Sequence, residues 1–184
     1  MDTATASLGS PCTGLRKLPK DGREVIGRIP HTLMPEHYLS VASEAATLSF
    51  LALRFQLRVP TAFAYSASAS PNPVETPYMI MEKMPGVDFN DCSESETGHG
   101  SVHREVVRMQ ALLHTASLGS IGSIFFKTDI REDWQTPLYA PDENADDASR
   151  LFCIGPCMDP VFSRLREESD RAVAVDRGPW PTTS

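Results

Sequence analysis

The amino-acid sequence predicts an α+β fold in which a small antiparallel sheet carries one helix and is followed by a looser, mostly helical second half. Three observations predict it. Asp21-Gly22 is a dipeptide that accepts positive φ between two flanking strands, as a tight hairpin requires. Tyr38, Val41, Ala45, Leu48, Leu51, Ala52 and Phe55 recur at helical spacing. Tyr78-Met79-Ile80-Met81 is a short apolar run closed by Pro85-Gly86, as a buried strand before a turn would be.

Residues 1–20 are rich in Ser, Thr, Gly and Pro and are expected to be disordered or poorly packed. They lack the apolar stretch of a secretory signal, and Gly9 and Pro11 interrupt any amphipathic transit helix. Glu24-Val25-Ile26-Gly27-Arg28-Ile29 reads as a strand ended by Pro30. Pro35 suits a first helical turn and Glu36 its positive end, so a helix is expected over 36–55. Val59-Pro60 turns the chain, 62–65 makes a short strand, and the Ser-rich run to Pro77 is a loop.

Val102, Val106, Met109, Leu113 and Ala116 predict a second helix over 102–118. A strand is expected within 121–126, and another short one at Phe152-Cys153-Ile154. Between them, about 128–149 is acidic and proline-containing and is expected to be a surface insertion. Arg177-Gly178-Pro179-Trp180-Pro181 shows no continuation of a core. The chain divides into 1–20, 21–86 and 87–184.

One core is what 184 residues support, with 41% hydrophobic and 22% charged. Seventeen Lys plus Arg against 24 Asp plus Glu give a net charge of −7, with the basic residues scattered, which argues against nucleic acid as a partner. No apolar run approaches the ~20 residues of a membrane span. Cys12, Cys92, Cys153 and Cys157 are too few and too unevenly placed for a disulfide scaffold, and Cys153 and Cys157 have no partner pair at zinc-site spacing.

Glu44 is the most informative single residue. Val41, Leu48, Leu51 and Phe55 surround it and place an acid on an otherwise apolar helix face, and a buried carboxylate needs a partner. Arg28 on the preceding strand can supply one. The alternative is that Glu44 sits at the edge of the stripe and reaches water.

Five segments run in one order. They are Val25-Ile26-Gly27-Arg28-Ile29-Pro30, Ser43-Glu44-Ala45-Ala46-Thr47-Leu48, Val59-Pro60, Tyr65-Ser66 and Tyr78-Met79-Ile80-Met81-Glu82-Lys83-Met84-Pro85-Gly86. Together they resemble the fungal aminoglycoside-phosphotransferase-like proteins of protein-kinase-like fold. Leu112-Leu113, Gly122-Ser123-Ile124-Phe125-Phe126, Phe152-Cys153-Ile154-Gly155-Pro156 and Arg177-Gly178-Pro179-Trp180 extend the resemblance to about residue 180.

The resemblance implies a small lobe with a hinge over 21–86 and an incomplete, mostly helical large lobe over 87–184. It implies ATP-dependent phosphoryl transfer to a small-molecule hydroxyl, and a mitochondrial location, with a cytoplasmic one as the alternative. Arg28 falls where such kinases hold the α- and β-phosphates, and Glu44 where an acid holds that basic residue. Arg in place of Lys is a real change, since a planar fork binds phosphate differently from an ammonium. Met81 would back the adenine pocket, unless it is plain core packing, while the Glu82 carbonyl and Met84 amide would meet the adenine edge.

Phosphoryl transfer also wants a base or orienting Asp, an Asn five residues on, and a further metal-binding Asp. His103-Arg104-Glu105 has the wrong acid, Gln110 at the Asn position and a helical period. Asp88-Phe89-Asn90 comes directly after the hinge and has Asn where a flexible Gly is wanted. Leu8-Gly9-Ser10-Pro11-Cys12-Thr13-Gly14 is a poor phosphate-covering loop with no clear first strand. The expectation is a truncated phosphotransferase-like chain without catalytic residues or magnesium ligands, whose ATP site is weak or vestigial. The alternative is a non-catalytic binding or interaction module. The acidic run beginning at Asp142 lacks the twelve-residue calcium-loop spacing, and Gly119-Ser120-Ile121-Gly122 lacks a nucleophile elbow.

Overall fold

The computed structural model describes residues 12–17, 24–30, 37–67, 72, 75–86, 96–141, 146–159, 161 and 176–182. Asp21-Gly22, Pro35-Glu36, Asp88-Phe89-Asn90 and most of the acidic run from Asp142 lie outside the described residues. The elements are strands β1 (Cys12–Lys17) and β2 (Glu24–Arg28), helix α1 (His37–Phe55), strands β3 (Ala62–Ser66) and β4 (Tyr78–Glu82), and helix α2 (Glu96–Leu113). Strands β5 (Ser120–Ile121) and β6 (Ser123–Phe126), helix α3 (Asp147–Leu151), and strands β7 (Phe152–Gly155) and β8 (Trp180–Pro181) follow. A 3-10 turn lies at Glu132–Trp134.

Four strands form one antiparallel sheet in the order β1-β2-β4-β3. Ile26 stands opposite Met81 and Arg28 opposite Met79. Directly opposed residues share a face, and so do residues two apart along a strand. One face of the sheet therefore presents Ile26, Arg28, Met79 and Met81 together. Val41, Ala45 and Leu48 of α1 pack onto that face, joined by Ala62 and Tyr65 of β3.

The β6–β7 ladder pairs Phe125 with Cys153 and Phe126 with Phe152. Leu39 and Ala42 of α1 cluster with Phe125, Ile130 and Cys153. Ala46 and Phe50 cluster with Leu138, Tyr139, Phe152 and Ile154. Thus α1 is shared by every buried cluster.

The α+β class and the elements from β2 to β4 agree with the sequence reading, while the first strand and several second-half expectations do not. Cys12–Lys17 forms a strand inside the segment expected to be disordered. Its partner is β2, with Leu15 opposite Ile26, so the two strands flank Asp21-Gly22 in the order its hairpin signal asks for, and only the Ser-, Gly- and Pro-rich composition of 1–20 hid the first of them. Helix α2 starts six residues before the expected 102 and stops at Leu113, where the Thr115 hydroxyl donates to the Leu112 carbonyl at 2.7 Å.

The described part of the acidic stretch, 128–141 and 146–149, is not a surface insertion. Ile130, Leu138, Tyr139 and Ala148 are buried, and Thr136 exchanges backbone hydrogen bonds with Ile154 at 2.9 and 3.1 Å. Its few apolar residues follow neither helical nor strand period, which hid their burial. Beside its helices, the second half holds among the described residues two two-stranded ladders, one of them joining Ile121 to Trp180.

Candidate functional site

Arg28 closes β2 and Glu44 lies in the second turn of α1. The strand register puts Arg28 on the sheet face that α1 covers. On the helix, at ~100° per residue, Glu44 falls roughly 60° to one side of the Val41–Ala45–Leu48 stripe. The two side chains meet, Arg28 Nη1 with Glu44 Oε1, and each keeps rather more than a quarter of its surface exposed (29% and 28%). Both sequence readings of Glu44 hold in part: it has its partner and it touches water.

A pair this exposed contributes only about 0–1 kcal/mol to stability, since water screens the attraction. Its consequence is positional. Beside it Arg28, Pro30, Ser40, Val41, Glu44 and Met79 line a cavity of about 20 Å³, room for a single water. A larger anion meets Arg28 only from its solvent side.

Met81 is 9% exposed and packs with Val41, Ala45 and Met79, so its side chain is core. After it the chain leaves the sheet through two braces. The Glu82 amide donates to the Thr61 carbonyl at 2.9 Å, and the Glu82 carboxylate accepts from the Thr61 amide at 3.3 Å. On the other side, the Lys83 amide donates to the Glu24 carbonyl at 3.2 Å, and Lys83 Nζ pairs with Glu24 Oε2 at 2.7 Å. Met84 follows, half-buried. The structure therefore brings Arg28 and Glu44 into contact, sets Met81 beneath the same helix, and anchors Glu82 and Met84 at the end of the neighbouring strand.

Sequence reasoning missed Ser40 and Met79 beside the pair, and the Glu24–Lys83 brace. The brace becomes visible once Val25 is set opposite Glu82, but that register is not written in either strand alone. It also missed Asp176, which precedes the Arg177-Gly178-Pro179-Trp180 landmark. Its carboxylate accepts from the Gly178 amide at 2.9 Å and from Trp180 Nε1 at 3.0 Å. Those two donors hold its carboxyl below the usual range. Gly178 has φ +72°, and a Cβ there would lie 2.8 Å from the Trp180 ring, so only glycine fits this turn.

His103-Arg104-Glu105 lies within regular helix α2, with Glu105 exposed and paired to Arg108 at 3.3 Å. Among the described residues, no three His, Cys, Asp or Glu side chains converge as a metal site needs. No helix there is long and apolar enough to cross a membrane.

Residues 15–167 match the family model described as phosphotransferase enzyme family. A subtelomeric hrmA-associated cluster protein of Aspergillus fumigatus is 34% identical over 164 residues, covering 87% of this chain and 29% of that protein. Altered inheritance of mitochondria protein 9 of Candida tropicalis is 28% identical over 174 residues, covering 89% of this chain and 28% of that protein. Its namesake in Saccharomyces cerevisiae is 29% identical over 173 residues, covering 85% and 27%. The chain thus spans less than a third of the length of these relatives. No solved structure matches it.

Proposed function

Because the chain belongs to the phosphotransferase enzyme family, we propose that its first half is the nucleotide-holding part of an ATP-dependent phosphotransferase that acts on a small-molecule hydroxyl. The observation that carries the reading is the Arg28–Glu44 pair, formed between a sheet strand and the helix above it. In this reading Arg28 takes a phosphate oxygen on its solvent-facing edge, Glu44 orients the guanidinium, Met81 backs the adenine, and the Glu82 carbonyl and Met84 amide meet its edge. ATP, when bound, supplies the phosphoryl group.

In this reading the chain carries no transfer by itself, which is supported by His103-Arg104-Glu105 being helical with its acid paired to Arg108. A mitochondrial location is supported by the names of relatives at 28–29% identity. One observation favours the second reading, a non-catalytic interaction module: Val102, Val106, Met109 and Leu113 of α2 are all 43–46% exposed along one helix face.

Calorimetric titration of the purified chain with ATP tests the proposal. Weak binding that is indifferent to magnesium, and roughly tenfold weaker in Arg28→Ala (about 1.4 kcal/mol), is expected. Strongly magnesium-dependent binding, or phosphate transfer by the chain alone, would overturn it. A stable fold without ATP binding selects the interaction module.

A further inference from the structure

Helix α1 is held by more than the sheet. Val41, Ala45 and Leu48 lie on Met79 and Met81, whereas Leu39 and Ala42 pack with Phe125, and Ala46 and Phe50 with Phe152. At ~100° per residue the second stripe lies roughly 130° around the helix from the first, with Glu44 on the far side of the first stripe. Phe125 and Phe126 are consecutive and so face opposite sides of the β6–β7 ladder, and α1 is engaged by both sides. Ala42 and Ala46 have no exposed surface, and their small side chains let the helix seat closely. A helix resting on a sheet by one stripe can roll. One gripped along two stripes so far apart rolls only by opening a dry contact, which packed interiors resist.

We infer that the β6–β7 ladder is a positioning element for Glu44: acting through Phe125 and Phe152, it fixes the roll of α1 and keeps the Arg28–Glu44 pair made before any nucleotide arrives. The consequence for ATP rests on the function proposed above; the positioning itself does not. Phe125 and Phe152 are fully buried and pack with α1, so they act on the pair through the helix.

The probe is the exchange of Arg28 guanidinium protons with water, read by NMR on the full chain with Glu44→Gln as the broken-pair reference. Exchange should already be slower without nucleotide than in Glu44→Gln, and ATP should slow it only further. Phe125→Leu and Phe152→Leu should each speed it about threefold, in keeping with the modest strength of a pair this exposed. Exchange that slows only when ATP is added, or that stays as in wild type in folded leucine variants, would overturn the inference. If neither variant folds, the wild-type comparison with and without ATP decides.

ATP titration separates positioning from general weakening. Phe125→Leu should lower affinity about threefold in the native background and not at all beyond Glu44→Gln, the signature of two residues acting as one. Equal losses in both backgrounds would make Phe125 merely structural. If the wild-type chain binds no ATP, the nucleotide reading fails and the exchange measurement still judges the ladder.

Discussion

Single residues show where sequence reading succeeds. Glu44 was visible because an acid beside an apolar helical stripe is an anomaly, and Arg28 because it ends the strand just before. Met81 was legible as a buried position but not as one packed by α1. Tyr65 was opaque, since its partner lies 64 residues away: its hydroxyl donates to Asp129 Oδ2 at 2.7 Å and its ring stacks on Phe126 at 6.4 Å. Tyr65→Phe should keep the stacking and lose the charge-assisted hydrogen bond, costing about 1.5–3 kcal/mol in urea denaturation. Burial pushes the Cys153 thiol up to about 11 from 9.0, opposed in part by Lys127 and aided by Asp129. Burial and Asp129 raise Tyr65 as well. A raised folded-state value means the native state resists deprotonation. For Cys153 that stability is whole below pH 9 and is lost as pH climbs toward 11. The urea midpoint should fall over that window, less steeply in Cys153→Ala.

At the level of elements, periodicity made α1 and β4 readable because each buries one regular face. The stretch from 128 to 147 has no such regularity, and its burial comes from two isolated bridges, Leu118 with Tyr139 and Thr136 with Ile154. The β6–β7 ladder also depends on contacts no local pattern encodes. A Cβ on Gly122 would lie 2.3 Å from the Gly155 carbonyl oxygen and 2.7 Å from the Ile154 side chain. Backbone cannot yield to it as a flexible side chain would, so Gly122→Ala should cost about 1–3 kcal/mol as overpacking does. Gly86 has nothing within 4 Å of the same atom, and Gly86→Ala should stay within about 0.5 kcal/mol. Thermal midpoints of the two variants check the contrast, and equal shifts would mean that the ladder relaxes around the methyl group.

Across the whole molecule, α1 is the common member of all three buried clusters, so neither the sheet nor the β6–β7 ladder can open without exposing a face of that helix. Helix α2 stands apart from this arrangement. It makes no extensive contact with another described element, and Val102, Val106, Val107, Met109 and Leu113 remain 43–50% exposed. An isolated helix of 18 residues is only marginal in water, because nucleation is costly and no buried face compensates for it. Two classes of backbone stability should therefore coexist in one chain. In native-state hydrogen exchange, amides of α1, β4, β6 and β7 should share one slow class governed by global opening, and amides over 102–113 should exchange through local fraying at much lower free energy. Val106→Glu should leave the slow class unchanged, because its side chain meets solvent, while Phe50→Ala should lower that class by about 3–5 kcal/mol through the cavity left against Phe152. Protection over 102–113 equal to that of α1 would mean that α2 is packed after all and that its apolar face is covered in solution.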